Sequence, residues 1–394
     1  MPLDVQTWAA IVFFILLGLW IISNRKKIHL QKILFPLLYF AMYRTKVGLR
    51  FMDKVGRRFP RLMRAIGYVG IGVGFLGMIA ISVALVQNMI QILTKPEAIP
   101  GVGLVLPFEV KGAFYVPFFY WIVSIFIIAL VHEFSHGIMA RTYGMKIKSA
   151  GFAVLGILIP ILPAAFVEPD EKELRKRPKR EQLSVFAAGP FSNIILAFVA
   201  LLLFVFLAPP IVDSIVDFNG VTVTDFAEGD FPAKAAGLQE GEIVLEIDGT
   251  PITYVSNFTQ ALKAKKAGDP IRLKTDRGLY DIVLAEHPND GGEAYLGVFV
   301  QQHRAVQKDV EEKFGGFLPA FGLWLVGLFY WLYLLNLGIG LFNLVPIGPI
   351  DGGRMLLAAL EKYFPQEKAH RIWKGIGAFF LGLVLVNILA AFIL

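Results

Sequence analysis

The chain has 394 residues, 56% of them hydrophobic and only 18% charged, with a mean hydropathy of +0.62. That balance excludes an ordinary water-soluble globular domain and places the chain among polytopic membrane proteins. The absence of cysteine excludes disulfides and thiolate metal ligands, and the net charge of +7 is a sum over separated regions.

Six apolar stretches approach the roughly 20 residues that a bilayer requires: 8–22, 65–86, 116–140, 184–207, 317–341 and 376–394. The first has only Asp4 before it and no small-residue cleavage site after it, so it is expected to be a retained anchor. Residues 25–64 follow, with twelve Lys and Arg against one acidic residue, Asp53. This is read as a cytoplasmic loop beside anionic lipid, not as a nucleic-acid surface. Within it, residues 33–42 are apolar but too short to span, and an interfacial helix is expected. The second span carries Gly67, Gly70, Gly72, Gly74 and Gly77, a spacing that lets helices pack closely in lipid.

The third span ends in the most informative residues of the chain, His132-Glu133-Phe134-Ser135-His136. No charged residue occurs from 118 to 131, so three ionisable groups arrive at the end of a membrane helix, where they are costly and mark function. Four residues apart on a helix, both imidazoles lie on one face and can reach one metal ion. Glu133 is turned about 100° from His132, placed to act on water without being a ligand. A hydrogen-bonded buried histidine is the plainer alternative, but two of only six histidines fall at this spacing beside a glutamate.

Beyond the third span, residues 149–167 are apolar but interrupted by Gly151, Gly156, Pro160 and Pro163. A continuous span here would put the basic run Arg175–Arg180 on the wrong side, so a re-entrant hairpin from the cytoplasmic face is expected. After the fourth span, residues 209–304 hold fifteen acidic against eight basic residues. Here Pro232-Ala233-Lys234-Ala235-Ala236-Gly237-Leu238 precedes a strand-like run that ends in Asp248-Gly249, a tight-turn signal. The pattern looks like a PDZ domain, with Leu296, Gly297 and Val298 as a possible carboxylate-binding loop at a sheet edge. Balancing the loop charges puts the N-terminus and this acidic domain outside the cell and the basic loops inside.

Two histidines leave a zinc site one ligand short. The best candidate for the third is Asp351, in the run from Asn343 through Pro346 and Pro349 to Asp351-Gly352-Gly353, where helix-breaking residues can present a carboxylate from irregular backbone. Taken alone, this run is equally well read as a helix end entering a cytoplasmic loop.

Together the two motifs resemble the site-2 protease family of intramembrane zinc metalloproteases, which pairs H-E-x-x-H with a later N-x-x-P…D-G, Asn and Asp eight residues apart as here. Gly189-Pro190-Phe191-Ser192-Asn193 matches that family's G-P-x-x-N signature. Pro349 stands one position later than in the bacterial N-x-x-P-x-P arrangement, and Ile350 replaces the usual Leu. The resemblance covers residues 116–394 and implies β structure in the re-entrant segment. It also implies one Zn2+ per chain held by His132, His136 and Asp351, with Glu133 as general base. Asn343 and Asn193 read either as hydrogen-bond donors to the substrate backbone or, equally well, as caps of helix ends, and Pro346 is expected beside them at the substrate. Transmembrane substrates already shortened by another protease are expected, with the PDZ-like domain as filter or receptor.

The expected fold is therefore a polytopic α-helical membrane protein of about six transmembrane helices plus a re-entrant β-hairpin, with an inserted extracytoplasmic PDZ-like α+β domain. The divisions fall at residues 1–112 (two N-terminal spans), 113–208 (first catalytic part), 209–305 (PDZ-like) and 306–394 (second catalytic part). A prokaryotic cell membrane is the expected location. The competing readings are a membrane metal-ion transporter, which would need a continuous polar path, and an inactive PDZ-tethered scaffold, which intact Glu133 and Asp351 count against.

Overall fold

The computed structural model describes residues 4–393 apart from 35–37, 96–97, 158 and 289–291. In chain order its elements begin with α1 (Val5–Ser23), β1 (Ile28–Leu34), β2 (Leu38–Thr45), α2 (Leu49–Arg58) and α3 (Pro60–Thr94). Next come β3 (Leu104–Leu106), β4 (Ala113–Tyr115), α4 (Phe118–Thr142), β5 (Ile147–Ile157), β6 (Ile159–Pro169), α5 (Glu171–Lys176) and α6 (Lys179–Ile215). The inserted part contains β7 (Val216–Asp217), β8 (Val221–Phe226), α7 (Pro232–Ala235), β9 (Ile243–Ile247), β10 (Thr250–Pro251), α8 (Val255–Lys263), β11 (Pro270–Thr275) and β12 (Leu279–Val283). It closes with β13 (Ala285–Glu286), β14 (Ala294–Tyr295), β15 (Val298–Gln302), β16 (Ala305–Val306) and α9 (Lys308–Phe314), and α10 (Phe317–Phe342), α11 (Asp351–Tyr363) and α12 (Gln366–Ile393) complete the chain.

Two units emerge, one of residues 1–205 and 327–394 and one of residues 206–326. Among the described residues six helices are long and apolar enough to cross a membrane: α1, α3, α4, α6, α10 and α12. They coincide with the six expected stretches, although α3 and α6 extend well beyond them, to 35 and 37 residues.

In the first unit, the glycine stripe of α3 does what close packing requires. A Cβ added at Gly67 would meet Met139 and Ser184, one at Gly70 would meet Phe191, and one at Gly74 would run into Met355. The stripe thus seats α3 against α4, α6 and α11, around a core of Met78, Met139, Val185, Ala187, Leu344 and Met355. Small residues permit this by letting backbones approach closely, and close van der Waals packing is a main source of helix association in lipid.

The re-entrant segment is a long antiparallel hairpin, β5 with β6, paired from Ile147↔Pro169 to Ile157↔Ile159. The interfacial helix expected over residues 33–42 is not formed at 33–34 or 38–42, which are strand, and residues 35–37 lie outside the described residues. The N-terminal loop forms a second hairpin, β1 with β2, and β2 continues the sheet through Tyr39↔Gly156 to Thr45↔Ala150, giving the order β1-β2-β5-β6. The physical reason lies in a distant segment. Without β2 the outer edge of β5 would leave a row of backbone donors and acceptors without strand partners. The amphipathic element of this loop is α2, which buries Met52 and Gly56 and pairs Asp53 with Arg141 at 3.0 Å.

The second unit is an antiparallel sheet of order β12-β11-β9-β8-β15, with β10 on β9. Strict alternation drives it. In β11, Ile271, Leu273 and Thr275 are buried while Pro270, Arg272 and Lys274 are exposed, so one face joins Val223, Val244, Ile247, Phe258 and Leu296 in a shared core. The Asp248-Gly249 turn has positive φ at both residues, 51° and 75°, as a two-residue hairpin of this twist demands. A buried carboxylate, Glu242, is fully engaged by Thr275 Oγ1 at 2.7 Å, Tyr280 OH at 2.9 Å and the Gln239 N–H at 3.0 Å.

Candidate metal centre

One turn of α4 places His132 and His136 on the same face, and both are buried. The third residue comes from 215 positions downstream of His136: Asp351 opens α11, also buried. Its placement depends on the two glycines that follow. A Cβ at Gly352 would overlap the Leu344 carbonyl and one at Gly353 the Ile347 carbonyl, so the irregular backbone of residues 343–350 folds directly over the first turn of α11. The Gly352 N–H closes the loop on the Asn343 carbonyl at 2.7 Å, and Trp373 Nε1 donates to the Gly353 carbonyl at 2.9 Å.

Three donor atoms converge. His132 Nε2 lies 3.1 Å from Asp351 Oδ2 and 3.1 Å from His136 Nε2, and His136 Nε2 lies 3.3 Å from Asp351 Oδ2. A tetrahedral cation with bonds of roughly 2.0–2.1 Å has ligand–ligand edges of about 3.3–3.4 Å, so the triangle has the size of one face of a zinc site. Donor type agrees, two imidazole nitrogens and one carboxylate oxygen. Space agrees as well. A Cβ added at Gly189 of α6 would stand 2.6 Å from His132 Nε2 and closer still to His136 Nε2. The missing side chain leaves room beside both nitrogens. The residues present fit a zinc ion.

The surrounding contacts come from α6 and β6. His136 Nδ1 donates to the Val185 carbonyl at 2.7 Å, which leaves the lone pair of Nε2 facing the triangle. Asn193 is fully buried, with its amide nitrogen 3.1 Å from His132 Nδ1. Glu133 is not part of the triangle. Its Oε2 accepts from the Val167 N–H of β6 at 2.8 Å. Val167 is paired with Ala150 in the ladder, yet its N–H points away from β5, so the general-base candidate sits on the outer edge of the re-entrant sheet.

Of the other residues singled out, Asn343 donates through Nδ2 to the Ile339 carbonyl at 3.0 Å, closing the end of its own helix, and Pro346 is buried in the loop over α11. In the second unit, Leu296 is a core residue whose carbonyl accepts from Ala233, Gly297 has φ of 82° under the Phe231 ring, and Val298 begins the edge strand β15 beside α8. Sequence reasoning missed Val185 and Val167, because a backbone carbonyl or N–H leaves no mark in residue type. It found Gly189 and Asn193 through the G-P-x-x-N signature, but not their neighbours.

The model of peptidase family M50 matches residues 120–384, which include all three donors, Glu133 and the inserted unit. An uncharacterised protein of Methanocaldococcus jannaschii is 27% identical over 347 residues, covering 86% of this chain and 82% of its own. The zinc metalloprotease RasP of Shouchella clausii is 23% identical over 241 residues, covering 50% of this chain and 55% of its own. Among solved structures, the PDZ domain of an SdrC-like protein from Listeria monocytogenes is 26% identical, covers 24% of this chain and 93% of its own, and has a TM-score of 0.19. With a match over more than half of its length, the chain belongs to peptidase family M50, the family of the site-2 proteases.

Proposed function

We propose that this protein is an intramembrane metalloendopeptidase that holds one zinc ion per chain and hydrolyses peptide bonds within or near transmembrane segments of membrane-protein substrates. The observation that carries this reading is the 3.1–3.3 Å triangle of His132 Nε2, His136 Nε2 and Asp351 Oδ2, with Glu133 beside it. Zinc, when bound, supplies a Lewis acid that brings the pKa of water down to about 7 and polarises a carbonyl.

The chain's own residues do the rest. With Oε2 held by the Val167 N–H, Glu133 uses Oε1 to take a proton from the attacking water and pass it to the leaving amine. A substrate helix must first unwind, since its carbonyls are satisfied internally. The outer edge of β6 offers the alternative pairing. By the two-residue alternation of an antiparallel ladder, Ala165 presents its N–H and C=O on the same side as the Val167 N–H. An extended substrate added there would run towards Glu133 and the donor triangle. Asn343, its Nδ2 committed to Ile339, would meet the substrate backbone through Oδ1, on a loop shaped by Pro346.

Loop charges support an orientation in a prokaryotic cell membrane with the N-terminus and residues 206–326 outside and the donor triangle towards the cytoplasm. In this reading another protease trims the substrate first, and the PDZ-like unit restricts access, Leu296, Gly297 and Val298 receiving the new terminus. A transporter gains no support among the described residues, where the span residues Asn336 and Asn387 bond carbonyls of their own helices.

The deciding experiment is cleavage of single-span substrates, trimmed and untrimmed, by the purified full-length protein with and without a chelator. Cleavage should stop with chelator and return with zinc. Hydrolysis that ignores the chelator would sink the metalloprotease reading. An unchanged ratio of trimmed to untrimmed cleavage after replacing residues 209–304 by a flexible linker would remove the gating role alone.

A further inference from the structure

His132 and His136 are held from behind by one helix face. Val185, Gly189 and Asn193 lie four residues apart along α6. The first takes the His136 Nδ1–H on its carbonyl, and the second leaves space beside both Nε2 atoms. The third faces His132 Nδ1 at 3.1 Å. That last contact is mismatched as it stands. A histidine that offers the lone pair of Nε2 to a cation carries its proton on Nδ1 and is a donor there. The amide nitrogen of Asn193 is also a donor, while its Oδ1 is buried without a partner. Amide oxygen and nitrogen are nearly the same size, and exchanging them costs no space. Exchange brings the orphaned oxygen onto the Nδ1–H.

We propose that Asn193 is the positioning residue of His132, its Oδ1 accepting the Nδ1–H and so holding the ring in the tautomer whose Nε2 lone pair faces Asp351 and His136. The proposal rests on the reading of the triangle as a zinc site. It moves Asn193 from the substrate, which a fully buried side chain packed behind His132 does not reach, to the support of a ligand. Val185 and Asn193 then play matching parts, one through the backbone and one through a side chain.

The test is zinc affinity of the full-length protein in detergent, measured by competition with a chromogenic chelator, for wild type, Asn193→Leu and Asn193→Asp. Leucine keeps the shape and removes the acceptor, so affinity should fall about 10–100-fold, the usual cost of losing an outer partner of a metal-bound histidine. Aspartate offers only acceptors and should bind zinc at least as tightly as wild type. A packing role predicts the opposite order, because a buried carboxylate is harder to accommodate than leucine. Leucine binding as wild type does, or aspartate losing zinc, would overturn the proposal, and the aspartate result decides it even if the leucine variant does not fold. Unchanged affinity with a raised KM would return Asn193 to the substrate. Wild type that binds no zinc would overturn the site reading itself, an outcome distinct from these.

Discussion

The two units reach order by opposite routes. In residues 206–326 the sequence carries a local signal, the every-second-residue burial of β11 and the Asp248-Gly249 turn, although β8 takes its partner β15 from the far end of the unit. In the membrane unit the decisive groups come from residues 132, 136, 193 and 351, and apart from the His132–His136 spacing on α4 only tertiary packing brings them together. The contrast teaches that a water-facing domain advertises its interior through periodicity. A membrane domain, apolar on every side, advertises only its exceptions. His132, Glu133 and Asp351 are legible because they are expensive where they are; Val185 and Val167 are not, because they act through backbone groups.

The largest effect is expected at Glu133. Glu133→Gln should keep its zinc and lose hydrolysis by roughly 10²–10⁴-fold, the usual worth of a positioned general base, whereas Asp351→Ala should lose the metal as well. Metal analysis beside single-turnover cleavage separates the two. Turnover by the Gln variant at the wild-type rate would remove Glu133 from the chemistry.

Gly189→Ala comes next, a single methyl placed beside both Nε2 atoms. Zinc content should drop to that of Asp351→Ala with the helical circular dichroism unchanged. Gly338→Ala, on α10 where nothing lies within 4 Å of the added carbon, should bind zinc normally. Equal zinc in both alanine variants would mean that the site can shift to make room.

A smaller effect belongs to the second unit. Gly297 has positive φ and Phe231 sits on it, so Gly297→Ala should destabilise that unit by about 1–3 kcal/mol and leave zinc binding alone. Hydrogen exchange of the full-length protein shows it as faster exchange confined to residues 206–326. Loss of zinc in this variant would show that the two units are energetically coupled.

The smallest effect is at Asp248. The Arg272 backbone N–H and then the Lys265 ammonium hold its carboxyl below the usual carboxylate range. Its contribution is therefore complete above an unfolded value of about 3.9 and fades as pH falls through the lower folded value. Asp248→Asn should soften the acid limb of hydrogen-exchange protection in strands β9 to β11, with little change at neutral pH. Identical acid limbs would mean that the pair is solvated away.

The six apolar helices, the H-E-x-x-H and N-x-x-P…D-G motifs, the acidic inserted segment and its tight turn were legible in the sequence. Each depends on local composition or on a fixed helical or strand period, and those are written in consecutive residues. Only the packed fold makes strands of residues 28–34 and 38–45, because the edge that β2 satisfies belongs to β5, more than a hundred positions later. It also decided that Glu133 rests on the edge of β6 and that α6 supplies the backs of both histidines. Buried polar groups must find partners wherever the fold puts them, and an unpaired strand edge or ring nitrogen takes whichever neighbour packing delivers.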